Sequence, residues 1–421
     1  MKILMATNTY TPFLGGVERS ISTFTNEYRR QGHKVLIVAP EYDGRPEQEK
    51  GVIRMPAIQN FNGSDFSVRL PVPGFLNTRL QDFSPDIVHS HHPYLMGDTA
   101  LRMGTKYSVP VIFTFHTFYE HYTHYVNADN HISKNFIIEL STIYSNLCDH
   151  LLAPSSGVRD TLVKRGVNTP IDVLPTGVDV DSFSMGNGSR FRESRSIPEN
   201  AFVIGVVSRL APEKNIAFIS KSVLRYIESR PHAQFLLVGN GPLKQETESI
   251  FSDKDLSDHL IATGALKGTE LADAYSAMDV FAFASHTETQ GIVLLEAMAA
   301  GTPVVAVRAT GINDVVADGE NGFLLQEDDM DQFICALEEI ANADANRMST
   351  LCEYARNTAR NNTHKRCASR ALDIYTSVIE KHHNRIQTDT NSTWKEARQK
   401  LETELEILKA KIKAVGTALT E

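Results

Sequence analysis

Glu288 and Glu296, with seven residues between them, bracket the start of an apolar run at Ile292–Ala300. The run predicts a helix stopped by Gly301, with a polar loop, Ser285–Gly291, before it and a buried strand, Pro303–Val307, after it. The start of a helix carries unpaired backbone N–H groups that attract an anion. A carboxylate one turn further in can accept two hydrogen bonds from a vicinal diol such as a ribose. A diphosphate joined to a sugar at one end and a ribose at the other fits that spacing. Two exposed helix-end glutamates are the plain alternative. Arg209 and Lys214 leave a predicted strand end five residues apart. Both can converge on a diphosphate, Arg through its planar fork and Lys as a point charge. Together they could neutralise a departing diphosphate without a metal, where the alternative is solvated surface charge.

The front of the chain offers a second set. Gly15-Gly16 opens a helical pattern, and glycine there lets backbone approach a phosphate or sugar, or simply makes a tight turn. His116 ends the predicted strand Val111–Phe115, and strand ends of parallel α/β sheets are where ligands bind. Nine histidines precede residue 180. His89, His91 and His92 share one short loop without an acid at ligand spacing, so no metal site is read there. Three Tyr and three His between His116 and Tyr125, with Tyr119 and Tyr122 foremost, suggest a wet, amphipathic wall, or ordinary core. Asp179-Val180-Asp181 has the DxD pattern of metal-dependent sugar transferases but follows a turn, and is read as chance.

The 421 residues predict two or three domains, and 42% hydrophobic with 22% charged residues is the composition of a globular protein. A net charge of −9 excludes a general nucleic-acid binder. Residues 1–180 are near neutral, with 16 basic against 17 acidic residues, which is compatible with approach to an anionic membrane. Four cysteines without CxxC or metal-ligand spacing suit a reducing compartment. Met1–Tyr10 is too weakly apolar for a signal peptide, and no stretch approaches the ~18 apolar residues that cross a bilayer. A cytoplasmic protein, with any membrane contact peripheral, is expected.

Strands alternate with helices throughout. The first βαβ unit, Lys2–Ala6, Val17–Arg30 and Lys34–Ala39, lacks GxGxxG, so no dinucleotide fingerprint is read. The pattern implies parallel sheets with right-handed crossovers, in two Rossmann-like domains facing each other across a cleft. The first spans 1–180 and the second 200–364. The Gly/Ser/Arg-rich stretch 184–199 is expected to be the linker between them. Gly311 is expected to open a short helix. Residues 56–80, with Phe61, Phe66, Leu70, Val72, Phe75 and Leu76, lack periodicity and predict an excursion, either a core satellite or an apolar lip. In the tail, Thr393 and Glu396 make a capping box, and Leu401, Leu405, Leu408, Ile412, Val415 and Leu419 form a short heptad seam. A helix over 391–420 is expected, pairing with a second copy, docking on the body or touching a membrane.

Arg209 and Lys214 in SRLAPEKN, the GNGP turn at 239–242 and the Glu288/Glu296 spacing resemble the retaining glycosyltransferases of family 4, which have the GT-B fold. Gly15-Gly16-Val17-Glu18 and His116 match positions in the front domain of that family, and the resemblance covers about residues 1–380. FHTFYEHYTHY and TETQG are similar to the bacterial enzymes that glycosylate diacylglycerol. The resemblance implies a metal-independent hexosyltransferase that needs no cofactor beyond its nucleotide-sugar substrate, with UDP-glucose the leading donor. Glu296 would hold the ribose, and Arg209 and Lys214 the diphosphate. Glu288, Thr289, Gln290, Gly291 and Ile292 would grip the sugar. His116 would contact the sugar from the front domain, with Tyr119 and Tyr122 on the acceptor side, Gly16 would approach the phosphates, and the base would sit near Gly239–Pro242, with Gly239 and Gly241 in contact, and Thr263–Leu266. The departing diphosphate would take the acceptor's proton. The helix at 365–384 would return to the front domain. A lipid acceptor at the inner membrane face is the first expectation. A soluble or polyprenyl-linked glycan, a GDP-sugar and an inactive scaffold are the alternatives.

Overall fold

The computed structural model describes residues 1–12, 15–45, 49–58, 68–69, 76, 79–80, 82–121, 131–387, 402–411 and 413. The chain divides into two compact units. The first comprises Met1–Pro154, Val158–Thr176 and Cys367–Glu421, and the second Ser155–Gly157 and Gly177–Arg366.

The strands of the first unit are β1 (Lys2–Ala6), β2 (Lys34–Pro40), β3 (Val52–Met55), the short antiparallel pair β4 (Ala57–Ile58) and β5 (Val68–Arg69), β6 (Ile87–Ser90), β7 (Val111–Thr114), β8 (His150–Ala153) and β9 (Ile171–Val173). Seven of them form one parallel sheet in the order β3-β2-β1-β6-β7-β8-β9. Alternate residues of β1 enter opposite cores: Leu4 and Ala6 join Val88 and Phe113, while Ile3 and Met5 join Ile87 and Ile112. Burial on both faces is why Ile3–Ala6 reads as an unbroken apolar run. The covering helices are α1 (Gly16–Arg30), α2 (Met96–Tyr107), α3 (His131–Leu147) and most of α4 (Ser156–Lys164).

The second unit repeats the plan. Its short helices α5 (Val180–Ser184) and α6 (Gly188–Ser194) precede β10 (Phe202–Val207). Then follow α7 (Ile216–Ser229), β11 (Ala233–Val238), α8 (Lys244–Ser252), β12 (Leu260–Gly264), α9 (Gly268–Ser276), β13 (Val280–Phe283), α10 (Ile292–Ala300), β14 (Val304–Val307), β15 (Gly322–Leu325), α11 (Met330–Ala341) and α12 (Ala345–Asn361). Its six parallel strands run β12-β11-β10-β13-β14-β15. The last long helix, α13 (His364–Gln387), belongs to the first unit from Cys367 onward, and Ala368, Ala371 and Tyr375 enter a core there with Ile3 and Tyr28.

Two sequence expectations are corrected. The stretch 184–199 is no linker: Phe183 of α5, Phe191 of α6 and Ile197 just after it are buried in the core of the second unit, and the units divide at Thr176/Gly177. The pattern was missed because each helix is short and presents one aromatic. Asp179, the first acid of the DxD pattern read as chance, caps α5 by accepting from Ser182 N–H at 3.2 Å. Residues 310–315 are a turn, not a helix opened by Gly311.

In the tail, residues 402–411 are helical and dock on the first unit. Ile407 and Ala410 are buried, while Leu405 and Leu408 of the heptad seam are 43% and 54% exposed. Arg102 on α2 holds Glu404 at 2.5 Å, and Lys411 reaches Asp98 at 2.6 Å. Thr393, Glu396, Leu401, Ile412, Val415 and Leu419 lie outside the described residues, as do Phe61, Phe66, Leu70, Val72 and Phe75. Leu76 is in the core of the first unit.

Candidate active site

In the second unit, strand order reverses between β10 and β13: the chain builds β11 and β12 on one side and β14 and β15 on the other. Loops that leave two such neighbouring strands diverge and open a crevice, where ligands of open α/β sheets bind. Arg209 and Lys214 follow β10, and Glu288 follows β13. The two loops are tied together, since Ser285 Oγ and His286 N both donate to the carbonyl of Glu213 at 3.3 Å. Lys214, on the one-turn helix Pro212–Lys214, thereby places its Nζ 3.1 Å from Glu288 Oε2. Arg209 is exposed at the end of β10.

Glu288 also serves the start of α10. Its Oε1 accepts from Gly291 N at 3.0 Å and Gln290 N at 3.4 Å. Gly291, the residue before α10, has φ 72°, a left-handed conformation that favours glycine. Burial pushes the Glu288 carboxyl up, but the Lys214 ammonium and the two backbone N–H groups outweigh it and hold the pKa below its ordinary value. The carboxylate is therefore ionised at neutral pH, beside one cation and one helix start.

Gln290 is buried, and its Nε2 has no hydrogen-bond partner among the described residues. Thr289 and Ile292 are partly exposed beside it. Glu296, on the second turn of α10, is 1% exposed and accepts from the Tyr275 hydroxyl at 2.7 Å. It is thus not one of two exposed helix-end glutamates but a buried carboxylate held by an aromatic from α9. Gly239 and Gly241 end β11. A Cβ on either would fall 1.8 Å from Ser208 O or 2.2 Å from Leu210 O, so both glycines pack directly on the β10 exit.

The first unit reverses strand order between β1 and β6. Asn8, after β1, locks the loop after β6: its N–H donates to His92 Nδ1 at 3.1 Å, its Nδ2 donates to Tyr94 O at 3.1 Å, and its Oδ1 accepts from Met96 N at 3.0 Å. His116, after β7, contacts His91 ring to ring, Nδ1 to Nε2, at 2.9 Å. Burial lowers the pKa of His89, His92 and His116 to about 3, so these rings are neutral hydrogen-bonding groups at physiological pH. Among the described residues, no group of three His, Cys, Asp or Glu is arranged to hold a metal.

Gly15 is the extended residue before α1, and Gly16 is exposed at its start. A Cβ on Gly16 would meet nothing, so packing makes no demand for glycine there. Glu18, one turn on, is 4% exposed, and burial raises its pKa against hydrogen bonds from Thr9 and Gly15. Tyr119 is not the wet wall expected: its ring lies 5.3 Å from that of Tyr94, and its hydroxyl is buried with no partner among the described residues. Tyr122 lies outside the described residues.

Sequence reasoning missed Asn8 and Tyr275, weighed His91 only as a metal ligand, and read Gly311 only as a helix start. Gly311 N–H donates to Glu288 O at 2.9 Å, and a Cβ there would fall 2.2 Å from the Thr289 carbonyl carbon. Only strand order brings these residues to the crevices. Tyr275 is the single aromatic of its helix, Gly268–Ser276.

Residues 14–182 match the model of Glycosyltransferase Family 4, and residues 188–361 that of Glycosyl transferases group 1. The chain is 26% identical over 344 residues to the alpha-monoglucosyldiacylglycerol synthase of Acholeplasma laidlawii, covering 78% of this chain and 86% of that one. It is 27% identical over 386 residues to a GDP-mannose-dependent alpha-mannosyltransferase of Corynebacterium glutamicum, covering 90% and 89%. In fold it matches Anabaena HepE, solved in complex with UDP, with TM-score 0.71 at 18% identity over 90% of this chain and 100% of that one. With its front and rear halves both matched, the chain belongs to the family 4 glycosyltransferases and has the GT-B fold.

Proposed function

We propose that this glycosyltransferase moves a hexose, glucose in the first instance, from UDP-hexose to a lipid hydroxyl such as that of diacylglycerol, with retention at the anomeric carbon. The observation that carries the reading is the Lys214–Glu288 pair at the start of α10: a cation for a diphosphate, and an anchored carboxylate for sugar hydroxyls, 3.1 Å apart. The bond from the anomeric carbon to the diphosphate breaks as the acceptor oxygen bonds to the same face. The acceptor's proton passes to the departing phosphate oxygen. Arg209 and Lys214 stabilise the charge that develops there, so neither a protein nucleophile nor a metal is required. Glu296 receives the ribose hydroxyls. The N–H groups near Gln290-Gly291-Ile292 and the Glu288 carboxylate receive the sugar, which His116 also contacts. Gly15 and Gly16 leave backbone open to the phosphates, and Gly239 and Gly241 shape the base pocket.

The lipid acceptor rests on the diacylglycerol named in the Acholeplasma relative and on the near-neutral charge of residues 1–180. No helix among the described residues is long and apolar enough to cross a membrane, so the proposed contact with the inner membrane face is peripheral. The Corynebacterium relative supports a GDP-mannose donor as the second reading. Two copies pair through the exposed Leu405 and Leu408 of the tail, and a monomer in sedimentation overturns this.

The test is UDP release from UDP-glucose, with and without diacylglycerol vesicles containing an anionic lipid, in the presence of EDTA. Release that requires the vesicles and survives EDTA supports the reading. Release only with GDP-mannose or a soluble glycan overturns the lipid assignment, and loss of release in EDTA overturns metal independence.

A further inference from the structure

Behind His116 lies a buried polar chain that reaches α13. The Tyr28 hydroxyl donates to the Tyr375 hydroxyl at 3.3 Å, and the Tyr375 oxygen is 2.6 Å from His89 Nδ1. His89 Nε2 is 2.7 Å from Thr114 Oγ1. With Tyr375 accepting from Tyr28, its own proton goes to His89 Nδ1, so the His89 proton sits on Nε2 and is donated to Thr114. Both ring nitrogens of His89 are thereby fixed. On this fixed ring rests His91, with centroids 4.1 Å apart. His91 is 1% exposed, and its Nδ1 is 2.9 Å from His116 Nε2.

The tautomer of His91 follows from its other nitrogen. Nε2 is buried and has no hydrogen-bond partner among the described residues. An N–H buried without an acceptor is costlier than an unused lone pair. The proton therefore belongs on Nδ1, where it is donated to His116 Nε2. Burial keeps both rings neutral. A neutral His116 that accepts at Nε2 carries its own proton on Nδ1.

We propose that His91, seated on the His89–Tyr375 floor, is a positioning residue that fixes His116 as the Nδ1–H tautomer, making it a hydrogen-bond donor to the transferred sugar. The donor role rests on the contact between His116 and the sugar proposed above, whereas the tautomer does not. A sugar hydroxyl or ring oxygen then accepts from His116, so the front unit recognises an oxygen lone pair at that point. The last helix contributes through Tyr375, far in sequence from the loop it supports.

Two experiments test this. In protein labelled with 15N histidine, long-range proton–nitrogen spectra read the tautomer without any substrate. A protonated Nδ1 and bare Nε2 on His116 are expected, and the reverse overturns the proposal. The second is a double-mutant cycle on UDP release from UDP-glucose with diacylglycerol vesicles. His91→Phe keeps a ring but removes the donor, and is expected to lower transfer about 5- to 30-fold, the effect of one misdirected hydrogen bond, with the UDP dissociation constant unchanged. His91→Asn offers a side-chain N–H near the position of Nδ1 and should restore transfer to within about threefold of the parent. In a His116→Ala background, His91→Phe should cost nothing more. Additive losses, or equal losses from Phe and Asn, overturn the proposal. If His116→Ala alone leaves transfer intact, the sugar contact and the donor role fall together, while the spectra still decide the tautomer.

Discussion

Replacing Lys214 with Met keeps the length and most of the apolar contact of the side chain but removes its charge. Lys214 and Glu288 are 24% and 17% exposed as side chains, between an open surface pair and a dry one. Exposed pairs contribute about 0–1 kcal/mol, and breaking a buried pair costs about 3–5 kcal/mol. Glu288 keeps its hydrogen bond from Gly291 N–H at 3.0 Å, so the remaining carboxylate is not abandoned. A stability loss of about 1–3 kcal/mol follows, read as a fall of roughly 2–10 °C in the melting temperature. The rate should suffer more. Losing one preorganised group at a developing charge costs about 10²–10³ in turnover. The assay is UDP release at saturating UDP-glucose on vesicles, beside thermal unfolding of the same preparation. A folded variant that releases UDP within threefold of the parent rate would refute the assignment of Lys214 to the diphosphate. The acid side supplies a second check. The folded-state pKa of Glu288 is depressed, so its contribution is fully present above the unfolded value of about 4.3 and is lost as pH falls through the lower folded value. Without Lys214, burial is less opposed and that pKa rises, so acid unfolding should begin at a higher pH.

Tyr275→Phe removes the hydroxyl that Glu296 accepts at 2.7 Å. It should cost about 1.5–3 kcal/mol in stability and weaken UDP binding in calorimetry, whereas unchanged UDP affinity would separate Glu296 from the ribose. Gly311→Ala drives a Cβ to 2.2 Å from the backbone of Thr289. Overpacking of about 1–3 kcal/mol should displace the 288–291 loop, lowering transfer even though no ligand-contacting side chain changes. Ile407→Ala should release the docked tail, at a local cost of about 2 kcal/mol or more, seen as faster hydrogen exchange over 402–411. The unfolding of the second unit should stay unmoved.

The elements of both sheets were legible because their causes are local. Ile3–Ala6 and Phe202–Val207 are unbroken apolar runs, since these strands lie inside their sheets and are covered on both faces. The helix over Ile292–Ala300 was bounded by Gly291 and Gly301, both of which adopt positive φ in the fold. The glutamate spacing and the Arg209/Lys214 pair were legible as charged groups beside strand and helix ends for the same reason, since both lie within short stretches whose geometry the backbone dictates.

What the tertiary structure alone decided is which distant stretches meet. Lys214 and Glu288 are brought to 3.1 Å because β10 and β13 are neighbours, although β11 and β12 lie between them in sequence. No local pattern encodes that strand order. The same holds for Tyr375 beneath His89 and for Asn8 beside His92. The tail shows the limit from the other direction. Its heptad seam was visible, yet Leu405 and Leu408 face solvent while Ile407 and Ala410 are covered. A helix with apolar residues on two sides does not say which side is buried, and that choice fell to the groups on α2, Arg102 and Asp98, that pair with Glu404 and Lys411. Periodicity belongs to the chain, but partners belong to the fold.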